Sequence, residues 1–165
     1  MVKNDTRLDR EKEFHDRRFA NDTERQQKVS KFYKITKSIQ EAREKLLLSH
    51  CQDAKIIEYG CGKGSYAFEL ARKGAKLVMG IDISPVAIEL AQTEAETKGL
   101  SENLDFPVMN AENLEFTPNS YDLICGSGIL HHLELLGIVR FTIAQNSTAK
   151  KTSLVGIDGI IRTDN

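Results

Sequence analysis

The sequence predicts an α/β fold: a three-layer sandwich around a mainly parallel sheet, with strand order 3-2-1-4 and a fifth strand beyond. Three observations predict it. From Lys55 onward, short apolar runs alternate with helical periods, which is how repeated βαβ units read in sequence. The segments between the runs carry helix start and stop signals, most completely Ser84-Pro85 at one end and Gly99 at the other. Pro107 falls inside the third run and cannot donate to a ladder, which puts that strand at a sheet edge.

Composition bounds the class. The chain has 165 residues, 23 Lys and Arg against 24 Asp and Glu, and 40% hydrophobic residues, as expected of one soluble domain. At this length folding buries roughly 70% of the surface that an unfolded chain exposes, so a core needs no metal or disulfide staple. A net charge of -1 argues against a nucleic-acid partner, because neutralising phosphates takes an excess of clustered Lys and Arg. Cys51, Cys61 and Cys125 are an odd number without a Cys-x-x-Cys pair, so neither a disulfide framework nor a zinc knuckle is indicated. Met1 to Asp5 runs directly into charged residues with no apolar signal segment, and no stretch reaches the length of a membrane span; a cytoplasmic, unprocessed protein is expected.

Charge is uneven along the chain: residues 1 to 45 sum to +4 and the remainder to -5. In the basic part, Val29, Phe32, Tyr33, Thr36, Ile39, Ala42 and Leu46 recur at three- and four-residue steps, predicting an amphipathic helix from about Thr23 to Leu48. Glu11 to Ala20 is a shorter helix candidate with Phe14 and Phe19 as anchors. Residues 1–50 are therefore expected to form a helical cap or lid, and 51–165 the core.

Strands are predicted at Lys55–Tyr59, Lys76–Asp82, Leu104–Met109 and Tyr121–Cys125. Between the first two, Ser65 is expected to cap a helix that ends on Arg72-Lys73 with Gly74 beyond. Ser84 at the N-cap and Pro85 at the first helical position open the next helix. In a 3-2-1-4 order the chain reverses across the sheet between strands 1 and 4, and ligands of open α/β sheets bind beyond the strand carboxyl ends at that switch. The residues to weigh are then Glu58–Ser65, Asp82–Ser84, Asn110–Glu112 and Cys125–His132.

Gly60, Gly62 and Gly64 alternate after strand 1, where a backbone without Cβ atoms lets a ligand lie against its amides beside a helix start. Asp82 stands 22 positions after Gly60 at the end of strand 2, where a carboxylate accepts hydrogen bonds from ribose hydroxyls. An adenosine-containing ligand is indicated. A dinucleotide is disfavoured, because its pyrophosphate would meet Glu58, and Ser65 stands where the Gly-x-Gly-x-x-Gly fingerprint wants Gly or Ala. A carboxylate there suits a cationic ligand better.

These residues resemble the class I S-adenosylmethionine-dependent methyltransferases, in particular their small-molecule "type 11" branch. Glu58 to Gly64, including Cys61, looks like the motif that holds the methionine end of the cofactor. Asp82 with Ile83 is similar to the ribose-binding position, Asn110-Ala111-Glu112 to the adenine-contacting stretch, and Tyr121 to Cys125 with Leu130-His131-His132 to the fourth strand and the segment after it. The resemblance implies a Rossmann-like sheet, S-adenosylmethionine as cofactor and methyl transfer to a small-molecule acceptor, with His131 or His132 at the active-site rim as a base. Asn110 departs from the Asp common in the family, at a predicted cost in cofactor affinity. After Leu133 the family's Pro-Gly-rich turn is missing; the apolar run within Ser153 to Ile161 is expected to form a fifth strand, leaving no room for a sixth and seventh and an incomplete C-terminal half. Two other readings are open: a truncated, inactive cofactor- or partner-binding chain that self-associates through an exposed sheet edge, or, less favoured, an NAD-dependent oxidoreductase.

Overall fold

Lys55–Tyr59 forms β1, whose residues after Lys55 are all buried, as a parallel strand covered on both faces must be. The computed structural model describes residues 6–20, 37, 41–42, 44–114, 116–117 and 120–129, with the backbone of 153–156 and 159–162. In chain order these give α1 (Arg7–Ala20), β1, α2 (Ser65–Arg72), β2 (Leu77–Ile81), α3 (Pro85–Thr97), β3 (Leu104–Asp105), β4 (Leu123–Gly126), β5 (Ser153–Gly156) and β6 (Gly159–Arg162). The strands hydrogen-bond in the order β3-β2-β1-β4-β5-β6, with β1 parallel to both β2 and β4. The predicted 3-2-1-4 order, the fifth strand and the edge position of the third are all present. The expectation of no room for a sixth strand is corrected: Ser153 to Ile161 is not one run but feeds two strands, and β6 pairs antiparallel with β5, a geometry that needs only a two-residue connection.

Side chains divide between the sheet faces with the period of two that pleating imposes. Ile56, Val78, Leu104, Leu123 and Cys125 join Phe68, Leu70, Ile88 and Ala91 from α2 and α3 in the larger core cluster. Ile57, Tyr59, Ile81 and Ile124 form the smaller cluster on the opposite face, against Met109, Leu114, Phe116 and Tyr121.

Three local expectations are corrected, each for a packing reason. Ser65 does not cap α2: it is an exposed first helical residue, and the N-cap is Gly64 at φ 76°, reached through a turn in which its N–H donates to the Cys61 carbonyl at 2.9 Å. The third strand stops at Asp105 instead of Met109. Phe106 turns inward to meet Phe68 edge-on, ring centroids 5.9 Å apart, and its carbonyl accepts from Gln92 Nε2 at 2.9 Å. The chain returns to the sheet only at Val108, by a bridge to Asp82. In α1, Phe14 is 52% exposed and anchors nothing, whereas Phe19 does. By contrast α3 begins as predicted, with Ser84 Oγ accepting from the Ala87 N–H at 3.1 Å and Pro85 in the first turn. Most of the helix predicted over Thr23–Leu48 lies outside the described residues; 44–48 are helical and bury Leu47.

Where that helical turn meets α2, two carboxyls face each other. Burial, then the charge and hydrogen bond of Glu44, push the Glu69 carboxyl above its ordinary value of 4.5, with Lys73 and Arg72 offsetting part of the rise. A raised carboxyl pKa means that ionisation costs stability above that pKa, and the cost fades as the pH falls. Glu69→Gln is therefore expected to raise the melting temperature at pH 7, with the gain vanishing as the pH drops to about 4.5; thermal scans across that range check it.

Candidate functional site

β1 and β2 both end at the same edge of the sheet, so the residues just beyond them are brought together. Asp82 is 7% exposed and accepts two backbone N–H bonds, from Gly62 to Oδ2 and from Ser84 to Oδ1, each 2.9 Å. One carboxylate thus ties the glycine turn to the start of α3. Each oxygen keeps a second lone pair for a ligand. The turn itself depends on glycine at position 62, where φ is 54° and an added Cβ would lie 3.0 Å from Phe19 Cζ.

Over these strand ends lies a cavity of about 140 Å³, roofed by α1. Of the site residues expected from sequence, Gly60, Asp82, Ile83, Asn110, Ala111 and Glu112 line it. Glu58, Cys61, Gly62, Gly64 and Cys125 do not reach its wall. Glu58 is 6% exposed, on β1 directly opposite Cys125 of β4. Gly64 is buried against the Phe68 and Phe106 rings. His131 and His132 lie outside the described residues.

Behind the glycine turn, at Cys61, the local field is negative. Burial first, then the charges of Glu58 and Asp82, push the Cys61 thiol far above its usual range, so that both carboxylates act on one point between them. Buried and held protonated, the thiol acts as a small packing residue and not as a nucleophile. Asn110 is held locally: its Oδ1 accepts the Glu112 N–H at 2.9 Å, an Asx turn that aims the 110–112 segment at the cavity.

Sequence reasoning missed Arg7, Glu11 and Arg18 in the roof. They line the cavity from α1, together with Leu8, His15 and Phe19. The spacing 7, 11, 15, 18 is one helical face and was the available signal; their polarity hid it from a search for apolar periods. Arg7 Nη2 donates to both oxygens of Glu112, at 2.6 and 2.7 Å. Asp16 accepts from Ser84 Oγ and from the Val86 N–H. Burial opposes ionisation of Asp16, but the bonds from Lys12 and Ser84 outweigh it and hold its carboxyl below the ordinary value.

A donor set of this kind fits an adenosyl sulfonium: a buried carboxylate with spare lone pairs and a bare glycine wall, with Glu58 close behind the turn. Among the described residues no group of His, Cys, Asp and Glu is arranged to hold a metal ion. No helix among them is long and apolar enough to cross a membrane.

Known proteins agree with this geometry. Residues 50–158 match a family model described as a methyltransferase domain. The chain is 43% identical over 75 residues to aklanonic acid methyltransferase DauC of Streptomyces sp. strain C5, covering 44% of this chain and 34% of that one. It is 31% identical over 113 residues to the ribosomal protein L11 methyltransferase of Hamiltonella defensa, covering 68% and 34%. The chain spans about a third of the length of these curated relatives. A solved S-adenosylmethionine-dependent methyltransferase of Mesorhizobium loti has the same fold, with a TM-score of 0.58 at 22% identity over 68% of this chain and 50% of that one. The chain belongs to the class I S-adenosylmethionine-dependent methyltransferases.

Proposed function

We propose that this chain transfers a methyl group from S-adenosylmethionine to a small-molecule acceptor, with residues 51–165 as the cofactor-binding core and 1–50 as a cap. The observation that carries the reading is the buried Asp82 carboxylate on the cavity wall, one strand from the glycine turn and in a field that Glu58 reinforces. Asp82 would accept from the ribose hydroxyls, Gly60 would leave the backbone open to the sulfur side, and Ile83, Asn110, Ala111 and Glu112 would flank the adenine. Glu58, set behind the glycine turn, acts through its charge.

The bound cofactor supplies a methyl group on a sulfonium, already joined to a good leaving group. The protein's share is then to bind, orient and exclude water. Holding an acceptor in near-attack geometry is worth about 7–11 kcal/mol of barrier, and a base is needed only for an acceptor that must lose a proton. His131 and His132 are the proposed bases at the rim. His15, on the roof of the cavity, is a third imidazole within reach of a bound acceptor.

A small acceptor is favoured over a protein because α1, among the described residues, lies over the cavity. One relative is named for aklanonic acid and another for ribosomal protein L11, so the acceptor class is open to test. A dinucleotide is disfavoured by the Phe68 and Phe106 rings, which fill the space beside Gly64 where a pyrophosphate would meet the start of α2. The protein is expected in the cytoplasm.

Calorimetric titration with S-adenosylmethionine is the test. Saturable heat is expected, then release of S-adenosylhomocysteine when small carboxylic acids, phenols and amines are offered. No heat at millimolar ligand from a folded sample overturns the assignment. Saturable binding with no turnover on any acceptor favours instead a chain that binds cofactor without catalysis.

A further inference from the structure

We propose that the methyl acceptor is an organic acid, and that Arg18 holds its carboxylate at the glycine-turn end of the cavity, which makes Arg18 the residue that selects the acceptor. The proposal rests on the cofactor reading above and narrows it to one substrate class.

The placement of Arg18 comes from the course of α1. Arg7 lies over the 110–112 segment, where it meets Glu112, and Phe19 lies over the glycine turn, where its ring meets Gly62. Twelve residues separate the two, about 18 Å along a helix axis, so α1 spans the cavity lengthwise. Arg18 lines the cavity beside Phe19 and therefore belongs to the turn end, the side of the methionyl chain. Its guanidinium carbon is 5.7 Å from the centre of the Phe19 ring, whose tip is the part that meets Gly62. The ring thus spaces the guanidinium away from the turn and toward the rim, where Arg18 is exposed.

Charge pairing sets Arg18 apart. On α1, Lys12 meets Asp16 at 2.8 Å, Arg17 meets Glu13 at 3.0 Å and His15 meets Glu11 at 3.7 Å. In the cavity wall, Arg7 is taken by Glu112, and Asp82 accepts two backbone N–H groups. Arg18 has no acid one turn before it, where Phe14 and His15 stand, and among the described residues its one partner is the Phe19 ring. A guanidinium carries five N–H donors in a planar fork that matches a carboxylate, and contact with an aromatic ring leaves those N–H groups available. Asp82 and Glu112, by contrast, belong to the ribose and adenine side, so the two ends of the cavity differ in sign. An acceptor at the turn end meets Arg18 beside a cationic sulfonium. Both attract an acid and repel an amine.

The test titrates acids and their amides calorimetrically into the full chain saturated with S-adenosylhomocysteine: acetate, benzoate and hydrocinnamate against acetamide, benzamide and hydrocinnamamide. At least one acid is expected to bind about tenfold or more tighter than its amide, as a charge-assisted fork allows. The preference should shrink as salt rises from about 0.05 M to about 0.5 M, because Arg18 is exposed. Arg18→Met should erase the preference, and Arg18→Lys should keep part of it, since an ammonium retains the charge and loses the fork. No acid preferred over its amide, or a preference unchanged in Arg18→Met, overturns the proposal.

The rival occupant is the amino-acid carboxylate of the cofactor itself. Arg18→Met is expected to leave S-adenosylhomocysteine affinity within about threefold of the wild type, because the carboxylate that Arg18 holds belongs to the acceptor. A larger drop overturns the proposal: with methylthioadenosine unaffected it assigns Arg18 to the methionyl chain, and with both ligands weakened it assigns Arg18 to the packing of α1. A wild-type chain that gives no heat with S-adenosylhomocysteine is a failure of the cofactor reading instead, and the acid preference is then read on the ligand-free chain with the same outcomes.

Discussion

Asp82→Ala is expected to lower S-adenosylhomocysteine affinity by at least about a hundredfold and to destabilise the fold in the same step. The carboxylate is 7% exposed and accepts the Gly62 and Ser84 N–H groups at 2.9 Å each. Hydrogen bonds to a charged group are worth about 1.5–3 kcal/mol each, and a buried donor left without a partner costs about 1–3 kcal/mol. The expected loss is about 3–5 kcal/mol in stability, or roughly 6–20 °C in melting temperature for a chain of this size. The affinity loss combines the missing ribose acceptor with a glycine turn that is no longer tied to α3. Asp82→Asn is the control: its carbonyl oxygen still accepts one of the two N–H groups, but its amide faces the other donor to donor, so an intermediate loss is expected. Calorimetric titration and scanning calorimetry on the same samples separate the effects. A folded Asp82→Ala that binds as tightly as the wild type would show that the ribose is held elsewhere.

Gly80→Ala should destabilise the protein by about 1–3 kcal/mol, the range for overpacking a closed core. An added Cβ would stand 2.6 and 2.7 Å from Phe106 ring carbons and 3.1 Å from Cys61 Cβ. Phe106 is 2% exposed and packed edge-on against Phe68, so the ring has nowhere to retreat. The cost is steric, and trimming the ring should recover it: G80A/F106L is expected to be more stable than the sum of the single changes allows, a positive coupling between residues in contact. Gly64→Ala meets the same ring at 2.8 Å but also carries φ +76°. A left-handed backbone costs an L residue about 1–2 kcal/mol, which no change at Phe106 returns. Urea unfolding of the single and double variants tests the contrast. Full rescue at both positions would mean that the backbone at residue 64 is not strained by a side chain.

Much of the architecture was legible because the signals lie in contiguous residues. Ser84, Pro85 and Gly99 bound α3 through capping and backbone preferences that act within one turn, and the structure places them as read. Pro107 pointed to an edge strand through its missing N–H, and β3 is at the edge, although the ladder ends at Asp105 and Pro107 lies beyond it. Gly60, Gly62 and Asp82 marked the strand ends, since the turn needs a bare backbone and the next strand's end needs an acceptor.

What stayed hidden depends on residues far apart in the chain. Ser65 has the side chain of a cap, yet the tight turn from Cys61 to Gly64 takes the position one residue earlier. Leu104 to Met109 alternates like a strand, yet the place that Phe106 finds beside Phe68 and Gly80 stops the ladder at Asp105. α1 reads as a polar surface helix, and only the assembled sheet shows that its charges meet Glu112 and Ser84 across the cavity. Local chemistry, carried by neighbouring residues, determined the elements, their order and the acidic character of the strand ends. The roof over the cavity, and which of its carboxylates are already engaged, were decided by tertiary structure, because a hydrogen bond between residues about a hundred positions apart exists only once the fold has brought them together.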